Sequence, residues 1–161
     1  MKLTNFFFLF VISAFTNLWS EIMDLRLGIL ISKPLLMTSL GLYFWSMTRK
    51  KVTHLSFFLL LGLLFALFGD CFLMFTGSSN AFFLIGLSSF LFTQLFYSIG
   101  FWKYPSDKKG LVQKQPIWIL PFLGFLLLNT WFLWDGLVGA MKIPVILYSL
   151  IISTMMISAL N

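Results

Sequence analysis

Lys33 and Asp70 are the two residues whose chemistry is out of keeping with their surroundings, because each sits inside a long apolar run. An ionisable group inside a membrane helix costs at least about 2.5 kcal/mol on insertion scales, so each is a functional candidate by default. At about 1.5 Å of rise per residue, Lys33 lies about 9 Å below the start of its run at Leu27. Asp70, by the same count, lies about 8 Å from the end of its run at Phe75. The two opposite charges can therefore meet at one level. Such a pair is a working site, the coupling pair of a carrier, or a buried pair that fixes helix register. Pro34, directly after Lys33, removes a backbone donor and leaves the Leu30 carbonyl free to line a polar cavity. Asn129 and Tyr148 fall in the same layer, with Glu21 at its rim.

The elements that must position these residues follow from composition. The 161 residues are 60% apolar, 19% aromatic and 10% charged, with a mean hydropathy of +0.97 and 21 Phe. Soluble domains carry about 25% charged residues. The chain therefore has too little polar surface for a soluble globular protein, a nucleic-acid module or a disordered tail. One cysteine, Cys71, excludes a disulfide framework, a CxxC redox pair and a cysteine-based zinc site. The single His54 excludes a histidine-rich metal cluster, and no cofactor is expected.

A membrane helix needs roughly 20 apolar residues. Such runs are Phe6–Ser20, Leu27–Met47, Leu55–Phe75, Ala81–Trp102, Pro116–Trp134 and Ile143–Leu160. The first resembles the start of a signal peptide, but no small-residue cleavage site follows, so it reads as an uncleaved span. The fold class is all-α: a polytopic transmembrane bundle of about six spans, forming one integral domain over residues 1–161. The connectors are too short for a soluble domain, so any chemistry sits within or beside the bilayer.

Lys and Arg in short loops set orientation. One side carries Lys2, Arg49, Lys50, Lys51, Lys103, Lys108, Lys109 and Lys114, whereas the other carries Arg26 and Lys142. The richer side, with both termini, is expected in the cytoplasm, in the inner membrane if the source is bacterial. The basic balance then reports topology and contact with anionic membrane lipids, with no nucleic-acid partner expected.

Two spans carry stripes. Gly62, Ala66 and Asp70 recur at every fourth residue with Gly69 beside them, and small residues at that spacing let another helix approach closely. Gly86, Phe90, Gln94 and Tyr97 form one face of the next span. Packing explains most of this face, although the polar ends of Gln94 and Tyr97 need partners. Pro144, Tyr148, Ile151, Met155 and Ala159 form a third stripe. Cys71 reads as an apolar filler.

These residues carry a resemblance. The run Lys33-Pro34-Leu35-Leu36-Met37 resembles the KPLLM signature of the YhhN-type lysoplasmalogenase family of membrane proteins. Gly69-Asp70 with Leu73 is similar to its G-D-x-x-L element. Phe83, Gly86, Phe90, Gln94 and Tyr97 resemble its F-x-x-G-x-x-x-F-x-x-x-H-x-x-Y pattern, with Gln94 where the pattern has His. That replacement leaves hydrogen bonding in place of proton transfer. Pro144 and Tyr148, followed by Met155 and Ala159, are similar to a P-x-x-x-Y element. Family members usually have about eight spans, the last two with a second acidic element of S-D type. That element has no counterpart before Asn161, although Glu21 lies at a suitable level and Asp135 at the rim.

The resemblance implies a lysophospholipid substrate: hydrolysis of the vinyl-ether bond of lysoplasmalogens to a fatty aldehyde and a glycerophospho-headgroup. Protonating the vinyl carbon gives an oxocarbenium ion that water attacks. A carboxylic acid sheltered from water can supply that proton and, once ionised, stabilise the cation. On this reading Asp70 is the proton donor and Lys33 holds the phosphate. Asn129 and Tyr148 orient water or the headgroup, Gln94 and Tyr97 add substrate contacts, and aromatic spans cradle the chain. A neighbouring Lys33 ammonium would oppose proton donation by favouring the ionised acid. The alternatives are a non-catalytic lysolipid-binding protein and a small transporter. The level of the charges near one membrane face, rather than at its middle, counts against the transporter.

Overall fold

The computed structural model describes residues 3–104, 110–134 and 142–160. Among them there is no strand. The elements are α1 (Leu3–Ile22), α2 (Arg26–Thr48), α3 (His54–Leu73), α4 (Asn80–Trp102), the single turn α5 (Leu111–Lys114), a 3-10 turn (Pro116–Ile119), α6 (Leu120–Trp134) and α7 (Lys142–Ala159). The chain is an all-α helical bundle.

Five of these helices are long and apolar enough to cross a membrane: Asn5–Ile22 within α1, and α2, α3, α4 and α7. The fifth expected span differs. Its apolar stretch, Pro116–Phe132, falls short of that length and begins as a 3-10 turn before α6. Pro116 at the first position and Pro121 just after it lack the N–H groups that an α-helical ladder would use.

Helix ends are set by local chemistry. Thr53 caps α3: its hydroxyl accepts from the Ser56 N–H at 3.1 Å, while the Ser56 hydroxyl accepts from the Thr53 N–H at 2.8 Å. Ser79 caps α4 by accepting from the Ala81 N–H at 3.2 Å. The link between α1 and α2 is only Met23–Leu25, with Asp24 at a φ of 51°, in the left-handed region. The Leu25 N–H donates to the Ser20 carbonyl at 2.8 Å and closes this corner.

Two hairpins dominate the packing, α1 against α2 and α3 against α4. They meet through α2 and α3, while α7 packs on α4 and α6 packs on α7. The interior is small and polar rather than large and apolar. Among the described residues the one buried apolar side chain is Ala66, whereas Ser13, Ser32, Ser39, Thr93, Ser149 and Ser153 are buried too. Large apolar residues point outward, with Phe132 82% and Leu27 76% uncovered by protein. That inversion suits a lipid surround, where helices associate through close backbone approach and hydroxyls bond back along their own helix. Ser13, Ser89 and Ser153 donate to the Leu9, Ile85 and Ser149 carbonyls at 2.7, 2.9 and 2.9 Å.

The α3–α4 seam follows the stripes in the sequence. Gly62 lies under the Tyr97 ring, Gly69 under Phe90, and Gly86 under Leu73, each without room for a methyl group. Thr93 donates across the seam to the Gly62 carbonyl at 3.1 Å. On its flank, Phe65 packs against Phe92 and Phe96 with ring centroids 5.4 and 5.3 Å away.

Candidate functional site

The short α1–α2 corner puts the last turn of α1 and the first turns of α2 at one end of the bundle. The last turn of α3 reaches the same end, because α2 and α3 run antiparallel and in contact. Between them lies a cavity of about 560 Å³, a size in the ordinary range for small-molecule sites. Its charged lining is Glu21, Asp24, Arg26, Lys33 and Asp70. Ile29, Leu30, Leu73 and Met74 supply the apolar remainder. Pro34 sits inside α2, and Leu30, whose carbonyl it deprives of a donor, lines the cavity as its position in the sequence suggests.

Lys33 and Asp70 therefore share a chamber, but Lys33 spends its charge elsewhere. Its ammonium pairs with the Glu21 carboxylate at 2.8 Å. Lys33 starts two turns inside α2, whereas Glu21 stands in the last turn of α1 beside the corner. The lysine thus reaches along its four-carbon stem toward the end of the bundle, as buried-stem lysines do near membrane interfaces. Both side chains stay partly open, 37% for Lys33 and 46% for Glu21. Asp70 is half-buried and makes no ion pair among the described residues.

The other sequence candidates lie elsewhere. Asn129 of α6 donates to the Ser149 hydroxyl of α7 at 2.9 Å, so its amide joins two helices away from the cavity. Tyr148 is half-buried on α7 and does not line the cavity. Gln94 and Tyr97 lie on α4. Tyr97 is the ring over Gly62, and the Gln94 Oε1 is buried without a hydrogen-bond partner among the described residues. Asp135 falls outside the described residues. The sequence reading did not anticipate Asp24, Arg26 and Met74 as cavity residues. The available signal is the charge crowded into the short segment Glu21–Arg26, from which the sequence reading places Glu21 at the rim and uses Arg26 for orientation.

Chemically, the chamber combines one carboxyl held within a membrane-length helix, two cations, and two further carboxyls at the rim. The two cations can meet an anionic headgroup, and the Asp70 carboxyl lines the same space. Among the described residues no three His, Cys, Asp or Glu side chains stand close enough to hold a metal ion.

No curated protein and no solved structure matches the chain. A family model does match, over residues 28–161, a segment that contains Lys33 and Asp70 and begins after Glu21, Asp24 and Arg26. With that match covering most of its length, the chain belongs to the YhhN family, whose signatures its sequence resembles.

Proposed function

We propose that this membrane protein is a lysoplasmalogenase-type hydrolase, cleaving the vinyl-ether bond of a lysophospholipid within a multi-pass bundle. The observation that carries the reading is the chamber itself: a half-buried Asp70 carboxyl facing the same space as Arg26 and Lys33, in a chain of this family. The substrate's phosphate is held by the two cations, and its vinyl ether reaches down to Asp70. Asp70 gives its proton to the vinyl carbon distal to oxygen, forming an oxocarbenium ion that the resulting carboxylate stabilises. Water adds to the cation and loses a proton to the carboxylate. The hemiacetal then collapses to a fatty aldehyde and a free glycerophospho-headgroup. Atoms balance as substrate plus one water, and Asp70 ends as it began.

The distribution of Lys and Arg supports both termini on the cytoplasmic side, which puts the chamber at the opposite face. A lysolipid in the outer leaflet then enters laterally, without leaving the bilayer.

The deciding experiment measures aldehyde release from a lysoplasmenyl lipid by the purified chain. Wild type is expected to turn over, and Asp70→Asn to lose about 100-fold or more, the scale of a positioned general acid. Full activity in Asp70→Asn refutes the assignment. Tight lysolipid binding by wild type without aldehyde release would make the protein a lysolipid binder instead.

A further inference from the structure

We propose that Glu21 is a positioning residue, which holds the Lys33 ammonium at the rim of the chamber and thereby leaves Asp70 free of a direct ion pair. The inference rests on the vinyl-ether reading above and deepens it.

The difficulty it resolves is electrostatic. An acid that must donate a proton is poorly served by an ammonium in contact with it, because the ammonium favours the ionised form. Lys33 lines the same chamber as Asp70. The four-carbon stem is flexible, and both acids line the cavity it enters. In the structure it is engaged by Glu21 at 2.8 Å, while Asp70 makes no ion pair among the described residues. The other charged groups around the chamber, Asp24 and Arg26, stand with Glu21 at the rim. On α4, packed against α3, the titratable side chain is Tyr97, which sits over Gly62, two turns back from Asp70.

The pair is also poorly suited to a purely structural task. Both partners are more than a third open, and exposed ion pairs contribute little to stability. Glu21 lies in the last turn of α1, where a carboxylate opposes the helix dipole rather than complementing it. Its position is better accounted for by what it holds. Held there, Lys33 remains available to a substrate phosphate, which would share it with the carboxylate.

The test is a cycle of variants of the purified full chain, with aldehyde release measured over a range of lysoplasmenyl lipid. Glu21→Gln is expected to lower kcat about tenfold or more, part of the ~10²–10⁴-fold that a general acid supplies. Glu21→Asp, which keeps the charge, should stay within about threefold of wild type, since rescue needs only the pair. Lys33→Met should raise KM with a smaller effect on kcat. Glu21→Gln combined with Lys33→Met should recover most of the kcat lost in Glu21→Gln alone while keeping the raised KM. A structural role for Glu21 has no such reversal. Unchanged kcat in Glu21→Gln, or a double variant no faster than Glu21→Gln, overturns the inference while leaving the hydrolase reading in place. An inactive wild type overturns both.

Discussion

Asp24 is the only non-glycine among the described residues with a positive φ, and the α1–α2 corner depends on it. Aspartate tolerates the left-handed region because its short carboxylate can bond locally, whereas a β-branched side chain meets the following carbonyl. Asp24→Asn should therefore leave thermal stability in detergent nearly unchanged. Asp24→Ile should cost about 1–2 kcal/mol and lower the melting temperature. Equal melting temperatures would mean that the corner carries no strain. Single residues were partly legible in the sequence. Lys33 and Asp70 could be found because a charge inside an apolar run has a cost that needs no coordinates to estimate. The partner of Lys33 could not be read the same way. Counting residues gives the depth of a Cα atom, and a lysine ends well away from its own.

At the scale of elements, the α3 and α4 stripes were legible, because small residues four apart have a direct steric meaning. The structure puts Gly62, Ala66 and Gly69 in the buried seam with α4. Gly62→Leu and Gly69→Leu should each push α4 away and cost about 1–3 kcal/mol, read as a lower unfolding midpoint in detergent. Gly77→Leu, where a Cβ meets open space, should cost far less and serves as the control. Asn129 and Tyr148 show the limit of depth counting. A level in the membrane says nothing about azimuth, and among the described residues α6 and α7 contribute none to the chamber lining. The same limit hid the stripe that α7 actually buries, Ser149 and Ser153, behind the neighbouring positions of Tyr148 and Met155.

For the whole molecule, the orientation expected from basic residues has a direct check in a bacterial host. A fluorescent protein fused after Asn161 should fluoresce, and alkaline phosphatase fused there should stay inactive. Phosphatase inserted in the connector after α3, at Gly77, should be active. The reverse pattern would turn the chamber toward the cytoplasm and remove outer-leaflet lipid as its source.

The interior of small residues, with Ala66 as its one buried apolar side chain among those described, also bears on how this protein responds to temperature. A soluble domain unfolds by exposing apolar groups to water, and the resulting heat-capacity increase bends its stability curve into a dome. Here the large apolar groups already face outward, and helices that part within a bilayer exchange protein neighbours for lipid ones. The heat capacity of that separation should be small and its free energy nearly linear in temperature. Cooling should then tighten the bundle steadily, without the cold denaturation that fading hydrophobic contacts impose on proteins in water.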